Sequence, residues 1–265
     1  MKQVAIVTGG SSGIGLAAAK CLKDAGYSVY TVSRREFTLE GTTHIRADLT
    51  REEDVKKAVD AAVAAEGRVD VLINCAGLGI GGAVEFSPRE EIEKQVSVAF
   101  LALDAVVRQV LPVMRRQGGG KIINISSMAA LANLPFQAYY SAMKAAVNSY
   151  TLALRNEVGC YGIEVCAVLP GDIKTGFTAA SRRLPLGDGE YGGRIGKAIA
   201  KMNSDEQSGP GPEFAGAFLC RLAQKKKFRC FYTMDFLSGL ERVLFALLPV
   251  GLANRIVGKM YAQQG

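Results

Sequence analysis

Short apolar runs alternate along the chain with segments that carry apolar residues at helical spacing. The apolar runs predict six strands, at Val4–Thr8, Ser28–Ser33, His44–Ala47, Val69–Asn74, Gly120–Ser126 and Ile163–Leu169. Helical spacing, as in Ile14–Ala25, fills most of the intervals between them. Short apolar strands that alternate with helices are typical of a parallel sheet covered on both faces. We therefore predict an α/β fold, a Rossmann-type doubly wound parallel sheet with helices on both faces.

The 265 residues contain no Pro- or Ser-rich linker between two apolar cores, which predicts a single domain over residues 1–265. Residues 176–212 are rich in Gly, Pro, Ser and Arg and have weak periodicity. We expect this segment to form a lid over a substrate site.

A C-terminal helical extension is predicted over residues 236–265, because Leu237, Leu240, Leu244 and Leu247 recur at helical spacing. The apolar face of this extension must be covered. Packing on the domain or on a second subunit would cover it. The nearby basic run Lys225–Arg229 also suits an anionic membrane surface, so peripheral membrane contact is the alternative.

A glycine-rich turn, TGGSSGIG, joins the first predicted strand to the first predicted helix. Gly9, Gly13 and Gly15 follow the spacing G-x-x-x-G-x-G, which differs from the usual dinucleotide spacing G-x-G-x-x-G. Such a turn directs backbone N–H groups and the positive end of a helix at one point, which suits a phosphate. Ligands of parallel sheets bind beyond the carboxyl ends of the strands, so the other strand ends are candidate site residues too.

A tyrosine and a lysine lie four residues apart on a predicted helix that follows a serine pair at a strand end. Tyr140 and Lys144 therefore share one helix face. An ammonium about 4 Å from the phenol, at an effective dielectric of about 20, contributes about 4 kcal/mol. At about 1.36 kcal/mol per unit, this would lower the tyrosine pKa from about 10 to about 7. We predict that Tyr140 is the general acid/base, that Lys144 activates it, and that Ser127 holds the reacting oxygen.

Together these motifs resemble those of the short-chain dehydrogenase/reductase family over nearly the whole chain. The turn resembles the family's cofactor turn, Asp48-Leu49 its adenine contact, Asn74-Cys75-Ala76-Gly77 its N-x-A-G motif, and Pro170-Gly171 with Thr175 its nicotinamide-side loop. The step from Ser127 to Tyr140 fits the family and favours these two residues over Ser126 and Tyr139.

The resemblance implies hydride transfer between a nicotinamide and a carbonyl or carbinol carbon, with Tyr140 transferring the proton and Lys144 also holding the nicotinamide ribose. The residues that it implies for the cofactor are Gly9, Ser11, Ser12, Gly13, Ile14, Gly15, Asp48, Leu49, Asn74, Ala76, Gly77, Tyr140, Lys144, Pro170, Gly171, Ile173 and Thr175.

One departure from the family concerns the helix before Leu111-Pro112, which usually carries an asparagine that holds a proton-relay water. Ala99 stands at that position, or Ser97 in a shifted register, and the sequence has no asparagine between Cys75 and Ile123. Gln95 precedes Ala99 by one helical turn, so its amide is a geometric candidate for the same water.

The cofactor is predicted to be NADP(H). An acidic residue at the end of the second strand would bind the adenosine ribose hydroxyls, but this position reads Ser33-Arg34-Arg35. Arg34 is the main candidate for the 2′-phosphate, with Arg35 and Ser11 as helpers.

The substrate is predicted to be bulky and apolar, since the loop after Ser127 and the start of the lid are apolar. The candidate substrate residues are Met128, Leu134, Phe136 and Phe177. The lid residues Arg182 and Arg183 are expected on the surface, with contact to an acidic side chain of the substrate as the alternative. A softer resemblance to the hydroxysteroid dehydrogenase-like branch implies a hydroxysteroid or a bile acid. Alternatives are another apolar carbonyl, retinal-like or acyl, and a non-catalytic dinucleotide-binding regulator.

The net charge of +7 is spread along the chain, and no aromatic-interleaved basic motif suggests a nucleic-acid partner. A single histidine, His44, and six cysteines without a C-x-x-C pair favour neither a metal site nor a disulfide framework. No secretory segment or membrane-spanning stretch is expected, so we predict a cytoplasmic protein, a homodimer or a homotetramer.

Overall fold

A computed structural model describes residues 2–177 and 181–262. Its main sheet has seven strands, and a small second sheet has two. The strands are β1 Val4–Thr8, β2 Ser28–Ser33, β3 Thr43–Arg46, β4 Val71–Asn74, β5 Ile80–Gly81, β6 Gly120–Ile125, β7 Ile163–Leu169, β8 Arg182–Arg183 and β9 Phe231–Thr233. In the main sheet they are ordered β3-β2-β1-β4-β6-β7-β9 and every pair is parallel. The pair β5 and β8 forms the second sheet.

Ten helices connect these strands in the part of the chain that is described. They are α1 Gly13–Asp24, α2 Glu52–Glu66, α3 Arg89–Val96, α4 Ala102–Arg116, α5 Ala129–Ala132, α6 Ala138–Val158, α7 Arg194–Ser208, α8 Pro212–Ala223, α9 Phe236–Leu247 and α10 Val250–Tyr261. A π-helical segment, Ser97–Leu101, joins α3 to α4 without a break.

The core lies on both faces of the main sheet, which explains why its central strands β1 and β4 are apolar and buried at nearly every position. On β1, Val4 and Ile6 face a cluster formed with α2, α4 and α6, whereas Ala5 and Val7 face a cluster formed with α1 and α8. The predicted single-domain α/β fold, with a parallel sheet and helices on both faces, is confirmed.

The strand order reverses direction between β1 and β4. From β1 the chain continues to β2 and β3 on one side, while β4, β6 and β7 follow on the other. Thr8 and Asn74 pair at the carboxyl end of these two central strands. This is the position at which doubly wound sheets form a ligand crevice.

The predicted strands agree with the observed ones within two residues at each end, but β5, β8 and β9 were missed, since two or three residues give too short a pattern. The predicted lid, residues 176–212, contains β8 and α7, and its residues 178–180 lie outside the described part. Only Ile195, Ala198 and Met202 are buried on α7, so its apolar stripe is narrow.

We expected no stretch apolar enough to span a bilayer, but one helix is long and apolar enough by its length and composition alone. The continuous helix Arg89–Arg116 has 28 residues and contains an 18-residue stretch with a mean hydropathy of 1.7. Its inner side chains, including Val107, Val110 and Met114, are fully buried in the core beside α2 and the sheet. In this fold the segment is a core helix.

Candidate active site

The glycine-rich turn has a shape that only glycine allows at its key positions. Gly9 and Gly13 have φ angles of +67° and +54°, in the left-handed region that other residues avoid. A Cβ on Gly15 would lie 2.5 Å from the carbonyl oxygen of Gly9. Ser12 precedes α1 and its side chain does not cap the helix, which leaves the N–H groups of the first turn directed outward. The turn therefore fits a phosphate group.

Two other predicted cofactor segments pack directly against this turn. A Cβ on Gly9 would lie 2.9 Å from the backbone N of Ala76, which donates to Thr8 Oγ1 at 3.2 Å. A Cβ on Gly13 would lie 3.5 Å from the side chain of Thr175. The Asn74–Gly77 segment and the loop after β7 thus converge on the phosphate turn, as a dinucleotide site requires. The Asn74 side chain itself is buried and donates to Asn124 at 3.0 Å.

At the adenosine end of this crevice, basic and acidic side chains follow neighbouring strands. Arg34 and Arg35 are exposed after β2. Burial opposes ionisation of Asp48, but hydrogen bonds from Thr50 and the charge of Arg34 outweigh it and lower the pKa of the carboxyl. Asp48 Oδ1 accepts from the Thr50 N–H and hydroxyl at 3.0 and 2.8 Å. Arg34 is therefore an exposed cation at this end beside Arg35, while Asp48 is engaged within its own turn.

The serine pair divides into one internal and one site-facing residue. Ser126 is buried and its hydroxyl donates to the carbonyl of Lys144 at 3.0 Å. Ser127 is half-buried, accepts from the Ala129 N–H at 3.1 Å, and hydrogen-bonds the Tyr140 hydroxyl. The structure thus brings Ser127 to Tyr140 and leaves Ser126 inside the fold.

Lys144 lies under the ring of Tyr140 and is held by the sheet. Its Nζ is 5.7 Å from the ring centroid of Tyr140 and donates to the carbonyl of Ile125 at 2.8 Å. Burial lowers the pKa of Lys144 to about 8, against a smaller opposing effect of Cys75. All three predicted catalytic side chains therefore meet at the ends of β6 and α6.

The predicted pKa of Tyr140 is wrong in direction for this arrangement. Burial raises its pKa to about 12, which outweighs the lowering by the hydrogen bond with Ser127. The amine of Lys144 is directed at a backbone carbonyl and not at the phenol oxygen, so the expected lowering is not produced. Glu206 and Asp172 raise the Tyr140 pKa further, and Arg183 lowers it. At neutral pH the tyrosine is consequently protonated.

A charged network beside Tyr140 was not predicted from the sequence. Arg183 is almost fully buried, and it pairs with Glu206 and hydrogen-bonds Asn203, both on α7. This corrects the expectation that Arg183 lies on the surface. Asp172, which follows the Pro170-Gly171 motif, is partly desolvated, and burial together with Asp205 and Glu206 raises its pKa to about 6. The charge of Asp172, directly after the Pro170-Gly171 motif, was the local feature from which the network could have been suspected.

The predicted substrate residues do not all share one surface. The Phe177 ring lies 6.0 Å from that of Tyr140, which places it at the catalytic group. Phe136 has a φ of +59°, and its ring stacks edge-on against Tyr191 at 5.9 Å. The Leu134 N–H donates to Ser141 Oγ at 3.3 Å. Met128 is buried against β7, so its side chain fills the core.

Ala99 and Gln95, at the position of the missing asparagine, are both buried. Ala99 lies in the π-helical segment Ser97–Leu101. Gln95 Oε1 accepts from the Ile80 N–H at 3.0 Å, and its Nε2 has no hydrogen-bond partner. A buried donor without a partner is a position at which a bound water would be expected. The hypothesis that Gln95 serves the relay therefore stays open.

Comparisons with known proteins agree with this site. The family described as short chain dehydrogenase matches residues 3–184. A 3-ketodihydrosphingosine reductase from Bacteroides thetaiotaomicron is 38% identical over 92% of this chain and 91% of its own length.

Among solved structures, a short-chain dehydrogenase from Streptomyces avermitilis has a TM-score of 0.79 and 28% identity, over 93% of this chain and 94% of that one. A 3-ketoacyl-(acyl-carrier-protein) reductase from Brucella melitensis, complexed with NADH, has a TM-score of 0.71 and 25% identity, over 88% and 96%. ElxO with NADP bound has a TM-score of 0.74 and 25% identity, over 89% and 98%.

Proposed function

Since the chain belongs to the short chain dehydrogenase family, and is thus an oxidoreductase with a nicotinamide cofactor, we propose that it reduces a ketone on a bulky apolar molecule with NADPH. The first candidate substrate is a long-chain ketone of the 3-ketodihydrosphingosine type. The observation that carries this candidate is the 38% identity to a 3-ketodihydrosphingosine reductase along 92% of the chain.

NADPH when bound supplies the hydride for the carbonyl carbon. The chain holds the cofactor through the amides of the phosphate turn, the loop from Pro170 to Thr175, and the amine of Lys144. Arg34 supports the choice of NADPH over NADH, because it is exposed at the end of β2 where an acidic residue would repel a 2′-phosphate.

Tyr140 donates its proton to the ketone oxygen, and Ser127 holds the same oxygen with a hydrogen bond. Tyr140 is protonated at neutral pH, as the acid of a reduction must be. The ketone gains a hydride at carbon and a proton at oxygen, and it leaves as a secondary alcohol. Arg183, whose charge lowers the pKa of Tyr140, favours the phenolate that remains.

A hydroxysteroid or a bile acid is the second candidate substrate. It is favoured by the aromatic side chains at the site, since Phe177 lies at Tyr140 and Phe136 packs on Tyr191. Rigid aromatic walls suit a fused-ring substrate as well as an acyl chain. The homodimer or homotetramer and the cytoplasmic location stay predictions.

The test is a panel of ketones assayed by loss of NADPH and, in parallel, of NADH. It contains 3-ketodihydrosphingosine, a ketosteroid, a bile-acid ketone, retinal, an acetoacetyl thioester and a simple sugar. We expect the highest kcat/KM for 3-ketodihydrosphingosine with NADPH. A higher value for the ketosteroid or the bile-acid ketone would select the second candidate, and a preference for the thioester or the sugar would refute both. No turnover of any member would favour a non-catalytic regulator.

A further inference from the structure

Both C-terminal helices carry exposed apolar side chains. Phe236 and Val250, at the starts of α9 and α10, are 83% and 82% exposed. We define the C-terminal apolar face by Leu237, Leu240, Leu244, Leu247, Leu252 and Ile256, each of which is more than 40% exposed. An exposed apolar surface of this extent marks a contact with another molecule or with a membrane.

Helix α9 is turned with its apolar side outward. Its only fully buried residue is the polar Ser238, with Arg242 and Phe245 half-buried along the same side. An amphipathic helix on the surface of a globular protein normally has the reverse orientation, with the apolar stripe against the core. The apolar side of α9 is therefore not covered by packing on the domain.

Specific contacts fix this orientation. Asp235 caps α9 by accepting from the Ser238 N–H at 2.8 Å and from the Ser238 hydroxyl at 2.7 Å. A Cβ on Gly171 would lie 2.7 Å from the Ser238 hydroxyl, so the inner side of α9 packs on the loop after β7. Rotation of α9 about its axis would break the cap and this contact.

Basic residues outnumber acidic ones on the two C-terminal helices, with Arg242, Arg255 and Lys259 against Glu241, which is exposed on α9. After Glu241 the sequence has no acidic residue, while Arg255 and Lys259 are exposed on α10 beside its apolar stripe. The basic run Lys225–Arg229 does not border this face, since it lies at the amino end of the sheet, where Lys226 lines a cleft with Asp70 and the Phe228 N–H donates to Glu164 at 2.9 Å. A two-fold interface between copies of the chain through α10 would bring Arg255 and Lys259 against the same cations of the second copy. An anionic membrane surface complements both the apolar and the basic parts.

The apolar face also adjoins the site. Its first helix packs on Gly171 of the loop that contributes to the cofactor site. Its second helix is tied to α7, since Tyr261 donates to Asp205 at 3.1 Å and Arg194 donates to the Ala262 carbonyl at 3.0 Å. Helix α7 in turn holds Arg183 through Glu206, next to Tyr140.

We propose that α9 and α10 dock the protein on an anionic membrane surface through the C-terminal apolar face, and that the site takes its ketone from that membrane. The second half of the proposal rests on the proposed function, whereas the docking does not. A long-chain ketone partitions into the bilayer, so a site beside the docked helices receives it without a passage through water.

Docking is tested by sedimentation of the full chain with vesicles of phosphatidylcholine, with and without phosphatidylglycerol, at low salt. The wild type should bind the anionic vesicles and release them at high salt. The double variant Leu244→Glu/Leu247→Glu should lose binding about a hundredfold or more. Arg255→Gln/Lys259→Gln should bind the anionic vesicles about thirtyfold more weakly, because two cations that are attracted to the membrane surface are removed.

The matched control is Leu101→Glu, an exposed leucine outside both C-terminal helices, which should bind as the wild type does. Because every altered side chain is exposed, NADPH binding should be retained, and this verifies folding. No vesicle binding by the wild type at low salt would overturn the docking. The docking would also be overturned if the wild type is a dimer, binds no vesicles, and is dissociated by Leu244→Glu/Leu247→Glu. That result would identify a second copy of the chain as the molecule that covers the apolar face.

Supply from the membrane is tested separately by kcat/KM for a ketone dissolved in anionic vesicles and for a short water-soluble ketone. Leu244→Glu/Leu247→Glu should reduce the first at least about tenfold and leave the second unchanged. Equal reduction of both would overturn supply from the membrane. Vesicle binding without turnover of any ketone would overturn the proposed function and leave the docking intact.

Discussion

Tyr140 is the residue on which the proposed chemistry depends, because its hydroxyl is the acid that protonates the ketone oxygen. Tyr140→Phe should lower kcat at least about a hundredfold, the usual contribution of a positioned acid. NADPH affinity should change little, since only one hydroxyl is removed. Stopped-flow turnover and fluorescence titration with NADPH measure the two quantities.

Tyr139→Phe is the matched control for this substitution, since it removes the same hydroxyl from the preceding residue of α6. It should leave turnover within about twofold of the wild type, because surface substitutions away from a site have small effects. An essential Tyr139 with a dispensable Tyr140 would contradict the assignment of the whole catalytic helix.

Arg34 should determine the choice of cofactor. Arg34→Gln should lower kcat/KM for NADPH about ten- to a hundredfold, the value of a hydrogen bond to a charged group, and leave the value for NADH nearly unchanged. Arg89→Gln, at an exposed arginine of α3, should affect neither. Parallel steady-state assays with both cofactors check this, and an equal loss with both would remove Arg34 from the 2′-phosphate.

The sequence sufficed for the catalytic residues but not for their electrostatics. Tyr140 and Lys144 are four residues apart, so one helix face places them, and a local pattern can predict that. The direction in which the Lys144 amine points is decided by the Ile125 carbonyl, and the burial of Arg183 by α7. These partners are distant in sequence, so no local spacing encodes them.

Among the secondary-structure elements too, those with a strong local pattern were predicted and those fixed by distant contacts were not. Strands β1, β2 and β7 were predicted with their observed bounds, because each carries apolar residues that are buried on both faces of the sheet. Strand β9 is three residues long and is stabilised by pairing with β7, from which it is more than sixty residues away in sequence. The outward orientation of the apolar side of α9 could not be predicted either. The spacing of its apolar residues shows that an apolar face exists but not what that face contacts.

The packing of α1 on α8 gives a prediction for two helices. A Cβ on Gly216 of α8 would lie 2.5 Å from the carbonyl carbon of Ala17 in α1. Gly216→Ala should therefore separate the helices and destabilise the fold by about 1–3 kcal/mol. Because α1 begins at the phosphate turn, NADPH affinity should fall as well. Urea unfolding and NADPH titration measure both effects.

Gly258→Ala in α10 is the control for this substitution, since a Cβ there meets nothing within 4 Å. Its higher helix propensity should stabilise by about 0.5–1 kcal/mol. If Gly216→Ala has the same free energy of unfolding as the wild type, the two helices can move apart without a loss of stability.

At the scale of the whole molecule, Asp172 should make stability depend on pH. Burial and the neighbouring carboxylates Asp205 and Glu206 raise its folded-state pKa to about 6, above its ordinary value. The folded state therefore binds this proton more tightly than the unfolded state. Stability falls as the pH rises from about 4 to about 6, and the loss is complete above that window.

Asp172→Asn should consequently stabilise the protein at pH 7 and have little effect at pH 4. The gain should be below about 1 kcal/mol, because the carboxyl is partly solvated and its interactions are screened. Asp60→Asn, at an exposed carboxylate of α2, should give no such gain at either pH. Urea unfolding of the three proteins at both pH values measures the difference. A loss of stability at pH 7 would mean that the ionised Asp172 makes favourable contacts, and the direction assigned to its pKa would then be reversed.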